Sequence, residues 1–345
     1  MNHTMQRWEI PGFGLEELSL NTVPMPAPKA GEVLVQVEAV SLNYRDAEVV
    51  DNGMGTELKF PFTPASDMAG TVIAVGEGVS RFKEGDRVIS AFVTGWIDGT
   101  PMSWQQAPTQ GGPTPGMMAQ YVATPADWCV LAPKTLTAAQ ASTLPVAALT
   151  AWMALIELGH LHAGQTVVVQ GTGGVSLFAA QFAAAQGAQV IITSSSDEKI
   201  QQAIKLGATH GINRHTTPEW QTAVRELTDG RGADHVLEMA GGDNLRRSLE
   251  AVTTGGRVSV IGLLESEQLN APLMTLLGSR ASIVGIAVGP RRVLEDLIRM
   301  VDQHGIKPVI AGIYAFEDAP KAFAHLKRGA FGKVVIEVQG SDVNA

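Results

Sequence analysis

Two hydrophobic periods divide the chain. Up to about residue 130, apolar and polar residues alternate in short runs. "EVLVQVEAVSLN" (32–43) has the two-residue period of a half-buried strand, and "GTVIAVGEGVSRFKEGDRVI" (70–89) predicts two more strands around glycine turns. Residues 93–117 have no period and are rich in Gly and Pro. Trp96 and Trp104 there favour a functional lid or wall over disorder, because disordered segments are poor in aromatics. Near Thr143 the spacing becomes helical in "LPVAALTAWMALIEL". Strands and helices then alternate: "TVVVQ", a helix from Gly174, "QVIIT", a helix from Ser196, "GIN", a helix at "PEWQTAVREL", "DHVLEM", the helix "NLRRSLEAV", "RVSVIG" and "SIVGIAVG". Continuous apolar strands between helices predict an open parallel sheet buried on both faces. The tail from about Arg291 predicts two helices and a last strand, "GKVVIEV".

The bulk numbers narrow the function classes. With 345 residues there is room for two packed domains, and 45% hydrophobic with 17% charged residues describes a globular protein. A formal charge of −9 and the lack of any basic run argue against nucleic acid or an anionic membrane as partner. No run reads as long enough to span a bilayer and the N-terminus lacks a signal-peptide core, so a cytoplasmic protein is expected. The single cysteine, Cys129, excludes an intrachain disulfide and a multi-cysteine metal site, and is read as a small buried residue.

The candidate chemistry starts at Gly171, Gly173 and Gly174, which follow a strand and open a helix with Val175. Missing side chains let a backbone approach a pyrophosphate, and a helix N-terminus supplies N–H donors. The third glycine of the G-x-G-x-x-G pattern is replaced by Ser176, followed by an alanine-rich helix that still permits close packing on the sheet. The second strand ends in Thr193, Ser194 and Ser195, where an NAD site usually carries an acid. Asp197 and Glu198 are explained by a capping box running from Ser195 to Glu198. Ser194, Ser195, Lys199 and Arg214 suit a 2′-phosphate, so NADP(H) is the expected cofactor.

The segments "SLNYRD" (41–46), "GTVIAVGEGVSRFKEGDRV" (70–88), "GMMAQYV" (116–122), "LPVAALTAW" (144–152), "VVVQGTGGVS" (167–176), "LGATHGIN" (206–213) and "GKVVIEV" (332–338) together resemble the medium-chain dehydrogenase/reductase superfamily, in particular its zinc-independent quinone oxidoreductase-like branch. The resemblance implies an α/β fold: a GroES-like β-rich catalytic domain (1–146 and 291–345) and a doubly wound Rossmann domain (147–290). It also implies a homodimer through late strands of the cofactor domain, where 281–289 is apolar. Zinc-dependent members use a Cys, a Gly-His-Glu and a later acid or Cys. Here Ser41 is read at the Cys position and Ser66 and Asp67 at His-Glu, so no metal is expected. Without a Lewis acid, conjugated acceptors are the easier hydride acceptors, so a quinone or α,β-unsaturated carbonyl is the expected substrate. The resemblance places "SLNYRD" at the nicotinamide pocket. Asn43 is the candidate to bond the acceptor carbonyl or a water beside it. Tyr44 is a candidate proton donor or ring-stacking partner, with a packed aromatic as the plain alternative. Thr150 matches a position near the cofactor, and Ala240, Gly241 and Gly242 would pass the nicotinamide ribose. An alcohol dehydrogenase-like enzyme and a non-catalytic NADPH-binding protein are the alternatives.

Overall fold

The computed structural model describes residues 3–103, 106 and 108–338. The chain divides into two compact units, Met1–Leu149 with Val288–Ala345, and Thr150–Ala287. The first unit contains strands β1 (Thr4–Glu9), β2 (Ser19–Pro24), β3 (Glu32–Leu42), β4 (Asp67–Val75), β5 (Arg87–Ser90), β6 (Tyr121–Pro125) and β7 (Cys129–Leu131). The second contains β8 (Thr166–Gln170), β9 (Gln189–Ser194), β10 (His210–Asn213), β11 (Ala233–Glu238), β12 (Val252–Val260) and β13 (Ser282–Gly285); β14 (Ile310–Ala315) and β15 (Lys333–Glu337) return to the first.

In the first unit the sheet order is β14-β15-β3-β4-β5-β7, with β6 also on β3. β3 is central because its eleven residues serve three partners: β15 at its C-terminal end, β6 at its N-terminal half and β4 along most of its length. Val35, Val37, Leu42, Met68, Phe316, Phe323 and Val334 belong to the core between these strands and the later helix Ala319–Lys327. One helix, Tyr44–Asn52, interrupts the part read as β-rich. Segment 93–117 is held at several points: Val93 bridges Thr109, Gln110 bridges Thr114, and a Cβ on Gly116 would lie 2.2 Å from the Ala65 carbonyl oxygen. Trp96 is buried, its indole N–H donates to the Gly99 carbonyl, and its own carbonyl accepts from Arg291 N–H. Trp104 lies outside the described residues.

The second unit is a six-stranded parallel sheet in the order β10-β9-β8-β11-β12-β13. The order reverses between β8 and β11, the crevice where doubly wound sheets bind ligands at the carboxyl ends of their strands. All five residues of β8 are buried, as its unbroken apolar run requires. "SIVGIAVG" forms a strand only to Gly285, and the helix Leu273–Ser279, absent from the sequence reading, precedes it. The helical stretch Ala138–Glu157 corrects the membrane reading: it is long and apolar enough to cross a bilayer. However, 83% of its most apolar window is buried inside the protein, which is how a core helix meets the same test.

Candidate functional site

In the second unit the candidate cofactor residues gather at the carboxyl ends of the strands. Gly171 leaves β8 with φ +78°, a left-handed conformation that a side chain would strain. Its N–H donates to the Thr193 carbonyl at 2.8 Å, tying the glycine turn to the end of β9. A Cβ on Gly173 would meet nothing within 4 Å, so the space above the N-terminus of helix Gly174–Ala185 is open to a phosphate. Ser176, at the third glycine position, is buried, and its hydroxyl donates back to the Gln170 carbonyl at 2.8 Å. The departure from the glycine pattern is thus absorbed by a bond to the strand end, and close helix–sheet packing survives.

The serine reading needs one correction. Helix Asp197–Lys205 is capped by Ser196, whose hydroxyl accepts from Lys199 N–H at 3.3 Å, and not by Ser195. Ser196 carries the extended backbone that an N-cap needs, and Ser195 is left exposed. Asp197 is occupied by the Asn213 side chain at 2.8 Å. Ser194 is buried at the end of β9, and its carbonyl accepts from Arg214 N–H at 2.9 Å. Ser194, Ser195 and Arg214 therefore lie together, with Lys199 in the first turn of the adjoining helix.

At the end of β11, Glu238 is fully buried. It accepts from the N–H groups of Ala240 (2.9 Å) and Gly241 (3.1 Å), from Asn244, and from the Ser248 hydroxyl (2.5 Å). This carboxylate shapes the turn expected to pass a ribose, and sequence reading missed it; an acid ending an apolar strand was the available signal. Gly241 has φ +79°, and a Cβ there would fall 2.2 Å from the Ser266 carbonyl oxygen. The demand for glycine at 241 comes from the protein's own chain. Thr150 is buried.

In the first unit a buried polar cluster forms where β15, β3 and β4 run side by side. The register sets Ser41 opposite Asp67 and Leu42 opposite Val334, which brings Lys333 to the end of β3. Asn43 Nδ2 donates to Asp67 Oδ2 at 2.9 Å and to Ser66 Oγ at 3.4 Å, and Asn43 Oδ1 accepts from Lys333 Nζ at 2.5 Å. Lys333 Nζ also donates to the Leu42 carbonyl at 2.7 Å. Asp46 accepts from Asn43 N–H at 2.8 Å and from Ser66 Oγ at 2.7 Å. Arg45 reaches Asp46 at 3.4 Å and donates to the carbonyls of Gln110, Gly111 and Gly112 at 3.2–3.3 Å. One guanidinium thus ties the irregular 93–117 segment to this cluster.

These bonds correct two expectations. Both N–H groups of the Asn43 amide are spent within the protein, so no Asn43 donor is left for an acceptor carbonyl; one lone pair on Oδ1 remains to accept from a water or hydroxyl. And Asn43, not Ser41, is the residue whose side chain hydrogen-bonds Ser66 and Asp67; Ser41 lies opposite Asp67 in the register, but its hydroxyl has no partner. Lys333, Asp46 and Arg45 were missed as site residues. The spacing of Asn43 and Asp46 as a helix N-terminus was readable; the arrival of Lys333 was not.

Burial dominates the electrostatics. It pushes the Asp67 carboxyl up to about 7, with Lys333 and the Asn43 bond pulling the other way. Burial also lowers Lys333 and Arg45, opposed by their acidic neighbours. Tyr44 is 45% exposed and its phenol is raised by burial and by Glu48, so it keeps its proton at neutral pH. The donor set does not fit zinc: the groups that converge are an amide, a hydroxyl and a carboxyl, with a lysine ammonium bonded to the same amide. Among the described residues no group of three or more His, Cys, Asp or Glu is placed to hold a metal.

Two family models match the chain: the alcohol dehydrogenase GroES-like domain over residues 29–134 and the zinc-binding dehydrogenase over residues 174–303. A solved structure from Sinorhizobium meliloti assigned to the alcohol dehydrogenases is 53% identical with a TM-score of 0.94, covering 98% of this chain and 99% of that one. A zinc-type alcohol dehydrogenase-like protein of Schizosaccharomyces pombe is 38% identical over 337 residues, covering 96% of this chain and 97% of its own. Quinone oxidoreductase of Rattus norvegicus is 29% identical over 333 residues, with 94% of each chain covered.

Proposed function

The chain belongs to the medium-chain dehydrogenase/reductase superfamily, and we propose that this oxidoreductase is a metal-independent, NADPH-dependent reductase of quinones or α,β-unsaturated carbonyls. The observation that carries the reading is the cluster of Asn43, Ser66, Asp67 and Lys333, in which an amide, a hydroxyl and a carboxyl with an internal cation offer zinc neither thiolate nor imidazole. A site without a Lewis acid favours acceptors that delocalise the incoming charge. Similarity to quinone oxidoreductases supports the same class.

A bound nicotinamide coenzyme supplies the hydride. The N–H groups from Gly173, Gly174 and Val175 at the helix start would hold its pyrophosphate, with Gly171 setting the turn. Ser194, Ser195, Lys199 and Arg214 would take the 2′-phosphate. Thr150, Ala240 and Gly241 would line the nicotinamide end. Asn43 would orient a water or hydroxyl through its remaining lone pair, and Tyr44 would offer its retained proton.

The same reading extends to assembly and location. β13 is an edge strand, and Leu273, Met274 and Leu277 of the helix before it are 57–73% exposed. An open strand edge beside such a surface supports a homodimer through these elements. A cytoplasmic location fits the burial of the apolar stretch Ala138–Glu157. The names of the relatives support a second reading, oxidation of an alcohol.

Coenzyme oxidation by the purified protein against a panel of quinones and enones, with NADPH and NADH in parallel, tests the proposal. Turnover of one acceptor class with NADPH is expected. Turnover only with alcohols and oxidised coenzyme would overturn it.

A further inference from the structure

Asp67 and Ser41 face each other across β4 and β3, and both are fully buried. Asp67 Oδ2 accepts from Asn43 Nδ2 at 2.9 Å and from Val146 N–H at 3.3 Å. Asp67 Oδ1 and Ser41 Oγ have no hydrogen-bond partner. A buried carboxylate with one oxygen bare is costly, and a proton on that oxygen removes most of the cost.

The charged groups facing Asp67 come from two elements: Lys333 from β15, and Asp46 and Arg45 from the helix Tyr44–Asn52. The stretch Ala138–Glu157 faces it with the uncharged N–H of Val146. With Lys333, Arg45 and Asp46 ionised, the cluster carries one net positive charge when Asp67 is protonated and none when Asp67 is ionised.

We propose that Asp67 is a positioning residue that holds a proton behind Asn43: protonated, it leaves the Lys333 cation uncompensated where the acceptor gains negative charge, and ionised, it cancels that cation. The inference rests on the reading of this cluster as the reductase site. Burial acts in the same direction, with the carboxyl pushed up to about 7. Asp67 acts through charge and gives up no proton in the transfer. The hydride brings both electrons from the reduced coenzyme to the acceptor, and Tyr44 gives the proton that completes the product and is reprotonated by solvent.

Two measurements test this. The first is the pH profile of kcat at saturating NADPH and acceptor. The wild type should lose activity above about pH 7, approaching tenfold per pH unit. Asp67→Asn, a neutral isostere, should stay active with that fall removed, and Asp67→Ser repeats the comparison with a smaller side chain. The second is infrared titration of the protein alone. A protonated-carboxyl band should be present near about pH 6, lost by about pH 8, and absent from Asp67→Asn. A wild type without the band, or an Asp67→Asn enzyme that keeps the wild-type fall, would overturn the proposal. Failure to reduce any acceptor would sink the functional reading instead, and the infrared titration would still decide whether Asp67 holds the proton.

Discussion

Arg214 gives a quantitative test of coenzyme choice. Its N–H bonds the Ser194 carbonyl at 2.9 Å, so its side chain departs beside the serines that end β9. The guanidinium reaches Glu265 at 3.4 Å, with the two side chains 51% and 58% exposed. An exposed pair of this kind is worth about 0–1 kcal/mol. A charge-assisted bond to a phosphate is worth about 1.5–3 kcal/mol. A 2′-phosphate bound here would therefore win Arg214 from Glu265, with a net gain of about 1–2 kcal/mol. Arg214→Ala should weaken NADPH binding about 5–30-fold and leave NADH within about twofold. Glu265→Gln should tighten NADPH by up to about fivefold, since it removes both the competitor and a nearby negative charge. Fluorescence titration of both coenzymes against the three proteins measures this. Equal loss of NADPH and NADH in Arg214→Ala, or no loss, would refute the assignment of the 2′-phosphate to this corner.

Two other positions carry predictions. Gly241→Ala forces a side chain into φ +79° and against the Ser266 carbonyl, so it should cost at least about 1–2 kcal/mol in urea denaturation from the backbone alone; an unchanged midpoint would contradict the clash. Cys129 is buried and its thiol is pushed up to about 12, so a thiol reagent at pH near about 8 should leave the native protein unlabelled and label it once on unfolding. Rapid labelling of the native state would show the burial to be wrong.

What the sequence disclosed followed from local pattern. The apolar run of β8 and the glycines after it announce a strand, a turn and a helix within one stretch of chain, and the structure forms them there. Three consecutive serines defeated the cap assignment, because only backbone conformation separates Ser196 from Ser195. The helix Leu273–Ser279 was missed because its seven residues show the apolar i, i+3, i+4 spacing only once, at Leu273, Leu276 and Leu277, too short a run to display a helical period. The polar cluster was the least legible feature. Lys333 and Asn43 are 290 residues apart, and only the pairing of β15 with β3 makes them neighbours. A sequence shows Asn43 as an amide free to bond a substrate; the fold shows its N–H groups already taken. Arg45 pairs with Asp46, its neighbour in sequence, but its three carbonyl acceptors on 110–112 depend on a segment with no period to read.

Hydride transfer without a metal, as proposed, leaves an isotopic trace on the product. The most direct measurement is turnover of an enone with NADPH deuterated at the nicotinamide C4, using protein treated with a strong chelator. Deuterium on the acceptor carbon is expected, at the rate the same deuterated coenzyme gives with untreated protein. A rate that collapses on chelation and returns with zinc would contradict it.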